Sequence, residues 1–84
     1  MSHHTYVLRS LKNGKRYIGF TSKNPAERLA DHNAGLSSWT RRYRPWILIY
    51  QERQRTKSEA VKRERYLKSA QGRQWLDANI KVTT

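Results

Sequence analysis

Apolar residues fall in short runs parted by polar turns, and the period of each run predicts an element. Tyr6-Val7-Leu8 and Tyr17-Ile18-Gly19-Phe20 read as strands, and Asn13-Gly14 between them is the signature of a tight type I′ hairpin turn. A two-residue loop there sets Ser10 opposite Tyr17, Leu8 opposite Gly19 and Tyr6 opposite Thr21. Alternation then places Tyr6, Tyr17 and Gly19 on one face, and Val7, Leu11, Ile18 and Phe20 on the other as core. A helix follows, capped by Asn24 with Pro25 at its first position and Glu27 at capping-box spacing, and stopped at Gly35. Residues 36–45 form a basic loop. Trp46-Ile47-Leu48-Ile49-Tyr50 is an unbroken apolar run, the pattern of a buried strand. Thr56 and Glu59 open a second helix that runs to about Ala70. Gly72 interrupts it, and a third helix covers roughly residues 73–79 with Trp75 and Leu76 inward. The order ββαβαα predicts an α+β fold, a small three-stranded, mostly antiparallel sheet flanked by helices, as one domain over residues 1–84.

Composition narrows the partners. Eighteen Lys and Arg against six Asp and Glu give the 84-residue chain a formal charge of +12. Such an excess repels itself unless a polyanion neutralises it, and it is the footprint of nucleic-acid binding. No helix pairs a basic face with a broad apolar one, and no apolar run is long enough to span a bilayer, so a membrane partner is not expected. The absence of cysteine excludes disulfides and thiolate zinc sites, and fits a reducing compartment.

With so few carboxylates, candidates for chemistry can be sorted by position. Glu27 and Glu59 have capping roles, Asp31 lies off the apolar stripe on a solvated face, and Glu52 and Asp77 read as surface acids. Glu64 differs: around the second helix it falls within about 60° of Ala60 and Leu67, on the inward stripe. An acid there must either pair with a base such as Lys68 or Arg63 or hold a metal, and the wheel leaves both open. Tyr6, Tyr17 and Gly19 form either a polar hollow that a backbone phosphate can approach or an ordinary pair of sheet tyrosines. Arg28 and His32 stand side by side, one turn apart, on the first helix. Arg41, Arg42, Arg44, Lys62, Arg63 and Lys68 supply phosphate contacts, and Trp39 and Tyr43 either stack on an unpaired base or pack under their loop.

In this order the residues resemble the GIY-YIG nuclease family, over nearly the whole chain. His4-Thr5-Tyr6 stands at the first motif and keeps only its tyrosine, as in compact stand-alone members. Tyr17-Ile18-Gly19 is the second motif intact. Arg28 to His32 is similar to the family's R-x-x-x-H stretch, and Glu59-Ala60-Val61-Lys62-Arg63-Glu64-Arg65-Tyr66-Leu67-Lys68 to its E-A-x-x-x-E-x-x-L-K helix. The likeness extends to the N-terminal nuclease module of bacterial excision-repair proteins.

The resemblance implies a metal-dependent endonuclease that hydrolyses DNA with little sequence specificity or with a structural preference, in repair or recombination, leaving 3′-OH and 5′-phosphate ends. Glu64 would be the sole protein ligand of one Mg²⁺ or Mn²⁺, since a hard octahedral ion keeps several waters. Tyr6 or Tyr17 would position or deprotonate the attacking water, its phenol lowered by Arg28 and the metal. Arg28 would stabilise charge on the scissile phosphate, and His32 would bond a tyrosine or that phosphate. Asn79 matches a supporting asparagine of some members. The expected partner is DNA, with RNA left open, and no organic cofactor. A specificity-supplying protein would replace the DNA-recognition domain of larger relatives. The expected setting is the bacterial cytoplasm, at the nucleoid. The alternative is a nucleic-acid-binding module with this fold and no turnover.

Overall fold

The computed structural model describes residues 2–80; Met1 and residues 81–84 of the expected domain span lie outside the described residues. The elements are strands β1 (His3–Ser10) and β2 (Arg16–Thr21), helix α1 (Pro25–Asn33), a 3₁₀ turn (Thr40–Tyr43), strand β3 (Trp46–Gln54), and helices α2 (Lys57–Lys68) and α3 (Ala70–Asn79). The sheet order is β2-β1-β3, antiparallel throughout, so the fold is the expected α+β one.

Both faces of the sheet are covered. Thr5, Tyr6, Val7 and Leu8 of the central strand are therefore all buried, which is why β1 shows no alternation of polar and apolar residues. On one face Val7 and Ile18 pack with Leu67 of α2 and Leu76 of α3. On the other, Tyr6, Leu8 and Trp46 pack with Tyr17, Leu29, Tyr43 and Leu48. Each buried aliphatic side chain contributes about 1.5–3 kcal/mol relative to an exposed one. A bulge in β3 sets Tyr50 opposite Val7 but Leu48 opposite Leu8, so Ile49 and Tyr50 both pack toward the α2–α3 face.

The hairpin register differs from the expected one by two residues. Tyr6 faces Gly19 and Leu8 faces Tyr17. The two-residue turn gives way to a wider loop because Ser10 takes it over. The Ser10 hydroxyl oxygen accepts from the backbone N–H of Lys12 (3.0 Å) and of Asn13 (3.3 Å), and the N–H of Leu11 donates to Pro45 (2.9 Å). A slip of two preserves the faces, so Tyr6, Tyr17 and Gly19 still share one. Leu11, expected in the core, is left in the loop with 55% of its surface exposed. Phe20 is half-buried and belongs to neither buried cluster.

Helix ends follow local chemistry. The Asn24 side chain accepts from the Ala26 N–H at the start of α1, and Thr56 accepts from the Glu59 N–H at the start of α2. Past α1, Gly35 at φ +84° bonds back to His32 while Leu36 bonds to Asp31, a Schellman ending. The break between α2 and α3 falls at Ser69 rather than at Gly72. Ser69 ends one helix and accepts from the Gly72 N–H to cap the next. Gly72 sits inside α3 because its missing side chain lets α3 meet the last turn of α2: a Cβ there would lie 1.9 Å from the Tyr66 carbonyl oxygen.

Candidate active site

Tyr6 enters the site from the centre of the sheet. Its ring lies over Gly19, directly opposite on β2, where a Cβ would come within 2.7 Å of the phenolic oxygen. The space over Gly19 is thus filled by Tyr6 and is not a hollow for a phosphate; Gly19 is required so that a phenol can be buried there. Tyr6 is only 1% exposed. Its ring centroid lies 6.3 Å from that of Tyr17, which is half-buried at the border of a groove.

Helix α1 covers these phenols with its buried edge. The Tyr6 hydroxyl lies 3.1 Å from His32 Nε2, and His32 Nδ1 lies 2.8 Å from the Thr40 hydroxyl on the 3₁₀ turn. Thr40 is itself buried, and its carbonyl accepts from the Trp46 indole at 2.7 Å. One turn before His32, Arg28 donates through Nη1 to Asp31 at 3.0 Å, with Lys23 3.8 Å from the same oxygen. Asp31, expected to be solvated, therefore anchors Arg28.

Burial pushes the Tyr6 phenol above its ordinary value; Arg28 pulls the other way, while Tyr17 and Glu64 add to the rise. Arg28 lowers this phenol as expected, but burial outweighs the cation on its own. Three groups from three other elements, Tyr17 of β2, Arg28 of α1 and Glu64 of α2, nevertheless act on Tyr6 here. Tyr6 and then Asp31 strengthen the hold of Arg28 on its proton, against burial.

Burial, and then the charge of Arg28, lower His32 below its usual range despite Asp31. The unfolded chain binds a proton at this residue near pH 6.5, the folded protein only at lower pH. The native state thus loses stability as pH falls through that window, and the contribution is fully present above it. Denaturant unfolding at pH 7.5 and 5.5 should show a pH-dependent loss in wild type that is smaller in His32→Gln. An equal loss in both would mean that His32 is protonated as readily in the fold as outside it.

Glu64 lies on α2 with 16% of its side chain exposed, and its carboxylate meets Lys68 Nζ at 3.3 Å. Lys68 is 55% exposed, so its side chain has room to leave. The described residues hold no group of three or more His, Cys, Asp or Glu able to share a metal. A divalent ion bound here would have one carboxylate ligand and keep most of its waters, which suits a hard octahedral ion; the donor set fits.

The other expected contacts divide. Arg41 and Arg42 are exposed on the 3₁₀ turn, with no acid partner among the described residues. Arg44 donates to the Asn33 carbonyl at the end of α1 (3.3 Å). Lys62 is exposed, about 160° around α2 from Ala60 and so turned from the sheet. Arg63 is committed elsewhere: Nε sits 2.7 Å from Glu52, and the guanidinium lies over Trp75 (4.7 Å) and Tyr66 (5.1 Å). It fastens α2 to β3 and α3 rather than reaching for phosphate. Asn79 is exposed and donates to the Trp75 carbonyl of its own helix (2.8 Å), so it is not brought to the cluster. Asp31, Thr40, Lys15, Arg16 and Arg73 are additional to the expected set. The i,i+3 spacing of Arg28 and Asp31 was a usable signal, whereas nothing local marks Thr40.

Residues 2–77 match the family described as the GIY-YIG catalytic domain. A UPF0213 protein of Staphylococcus haemolyticus (strain JCSC1435) is 40% identical over 68 residues, 80% of each chain. One of Staphylococcus aureus (strain Mu3) is 39% identical over 69 residues, 81% of this chain and 82% of the relative. The solution structure of a UPF0213 protein from Bacillus halodurans is similar with a TM-score of 0.56 at 28% identity, covering 93% of this chain and 84% of that one. These names carry no activity.

Proposed function

Since this chain belongs to the GIY-YIG family, a family of nucleases that generally use divalent metals, we propose that it is an endonuclease hydrolysing DNA phosphodiester bonds with little base preference, supported by Mg²⁺ or Mn²⁺ at Glu64. The observation that carries this reading is that the Tyr6 hydroxyl lies 3.1 Å from His32 Nε2 and its ring 6.3 Å from that of Tyr17, with Arg28, held by Asp31, one turn before His32 on the same helix. A bound divalent ion would supply Lewis-acid charge beside the scissile phosphate.

The residues of the chain do the rest. Tyr17, bordering the groove, orients the attacking water. The oxygen of that water bonds to phosphorus as the bond to the 3′ oxygen breaks, leaving a 5′-phosphate and a 3′ oxygen that takes a proton from solvent to become the 3′-OH. Tyr6 takes the proton of the water while passing its own to neutral His32 through the 3.1 Å contact. No free phenolate has to stand, which suits a phenol whose charged form is disfavoured. In the tautomer whose Nδ1–H donates to Thr40, His32 presents Nε2 as the acceptor. Arg28, fixed by Asp31, stabilises the charge that builds on the phosphate oxygens. The proposed setting is repair or recombination of bacterial DNA at the nucleoid, a partner protein adding specificity. Arg41 and Arg42 contribute phosphate contacts there.

The Lys68–Glu64 pair favours the competing reading, a binding module whose acid is already satisfied. Nicking of supercoiled plasmid separates them. Mg²⁺ or Mn²⁺ should produce nicks and chelation should abolish them. No metal-dependent nicking, with DNA still retarded in a gel, would leave the binding module.

A further inference from the structure

Apart from Tyr17 at its border, the groove beside the phenols takes no part in this chemistry. It has a volume of about 540 Å³, and Lys15, Arg16, Lys68 and Arg73 line it together with Tyr17 and Trp39. Trp39 is 43% exposed, so it does not pack under its loop. It is nevertheless fixed in place by aromatic neighbours: its ring centroid lies 4.9 Å from Tyr43, 6.2 Å from Trp46 and 6.2 Å from Tyr17. Lys15 Nζ stands 5.1 Å over the Tyr43 ring. Two of the groove's cations have acid partners, Arg16 with Asp77 (2.9 Å) and Lys68 with Glu64 (3.3 Å), so the lining keeps a positive surplus.

An exposed aromatic ring held rigid among cations fits a ligand with a flat π-face and an adjacent phosphate. A base inside a duplex offers no free face to it, whereas an unpaired base does. We propose that this groove holds one unpaired DNA nucleotide, its base stacked on Trp39 and its phosphate among Lys15, Arg16 and Arg73. Tyr17 lines the groove and is itself one of the two phenols, so the unpaired nucleotide lies next to the scissile phosphate. The preferred substrate is then a junction where a single strand leaves a duplex. This rests on the nuclease reading only for where the cut falls; the stacking stands without it.

The test measures binding in chelator, without cleavage. The probes are a blunt duplex, the same duplex with a single-stranded overhang carrying 2-aminopurine, and that overhang with an abasic spacer in its place. Wild type should quench the 2-aminopurine and bind the overhang about tenfold tighter than the blunt or abasic probe. Trp39→Ala should lose quenching and preference yet bind blunt duplex unchanged, and Trp39→Phe should keep both. Equal affinity of wild type for the abasic and base-bearing overhangs would overturn the proposal, as would retained quenching in Trp39→Ala. Failure of the nuclease reading is seen separately, as absence of metal-dependent nicking by a wild type that still quenches.

Discussion

Glu64→Gln should bind DNA as wild type does and leave it uncut, with turnover reduced by at least about a hundredfold, the scale lost when one group that stabilises transition-state charge is removed. The substitution preserves the shape of the side chain and deletes its charge. Lys68, its partner at 3.3 Å, is more than half exposed and is easily resolvated, and the glutamine amide keeps the shape of the largely buried Glu64 side chain, so folding should change little. The loss should therefore appear in kcat and not in the affinity for DNA measured in chelator. Turnover unchanged from wild type would remove Glu64 from the chemistry. A drop matched by a fall in thermal stability would assign it a structural role.

Arg28→Lys should be nearly as damaging, roughly a hundredfold or more in kcat, although it keeps the charge. Arg28 does two things at once that need a planar, branched head. It donates to Asp31 through Nη1 at 3.0 Å, and it faces the Tyr6 phenol closely enough to oppose the rise caused by burial. A lysine ammonium is a point charge on a flexible stem and cannot hold both partners in a fixed geometry. Asp31→Asn, which leaves the guanidinium present but less firmly held, should show a smaller loss with the same sign. Single-turnover cleavage under saturating enzyme measures both. Equal rates for Arg28→Lys and wild type would mean that only charge, not placement, is used at this position.

How much of this was readable beforehand follows from how local each determinant is. The caps at Asn24 and Thr56 bond within three residues, so spacing alone exposes them. The shared face of Tyr6, Tyr17 and Gly19 was legible because strand alternation survives a two-residue slip. The register itself was not, since Ser10 and the Leu11–Pro45 bond override the Asn13-Gly14 turn from outside the hairpin. Gly19 was recognised as a place of close approach, but the approaching group is Tyr6 and not a ligand, a distinction that needs the cross-strand partner. Arg63 looked like a free cation because Glu52, Trp75 and Tyr66 surround it only once α2 lies between β3 and α3. The burial of Thr40 depends on the 3₁₀ turn folding over α1, in a stretch read as loop.

The most direct test asks where a divalent ion sits. Titrating Mn²⁺ into the protein and following paramagnetic broadening of its amide NMR signals locates the ion without cleavage or DNA. Signals of Glu64, Tyr6 and Gly19 should broaden first, and Glu64→Gln should abolish that pattern at the same Mn²⁺ concentration. Broadening centred on Glu52 or Asp77, or surviving unchanged in the variant, would contradict the account.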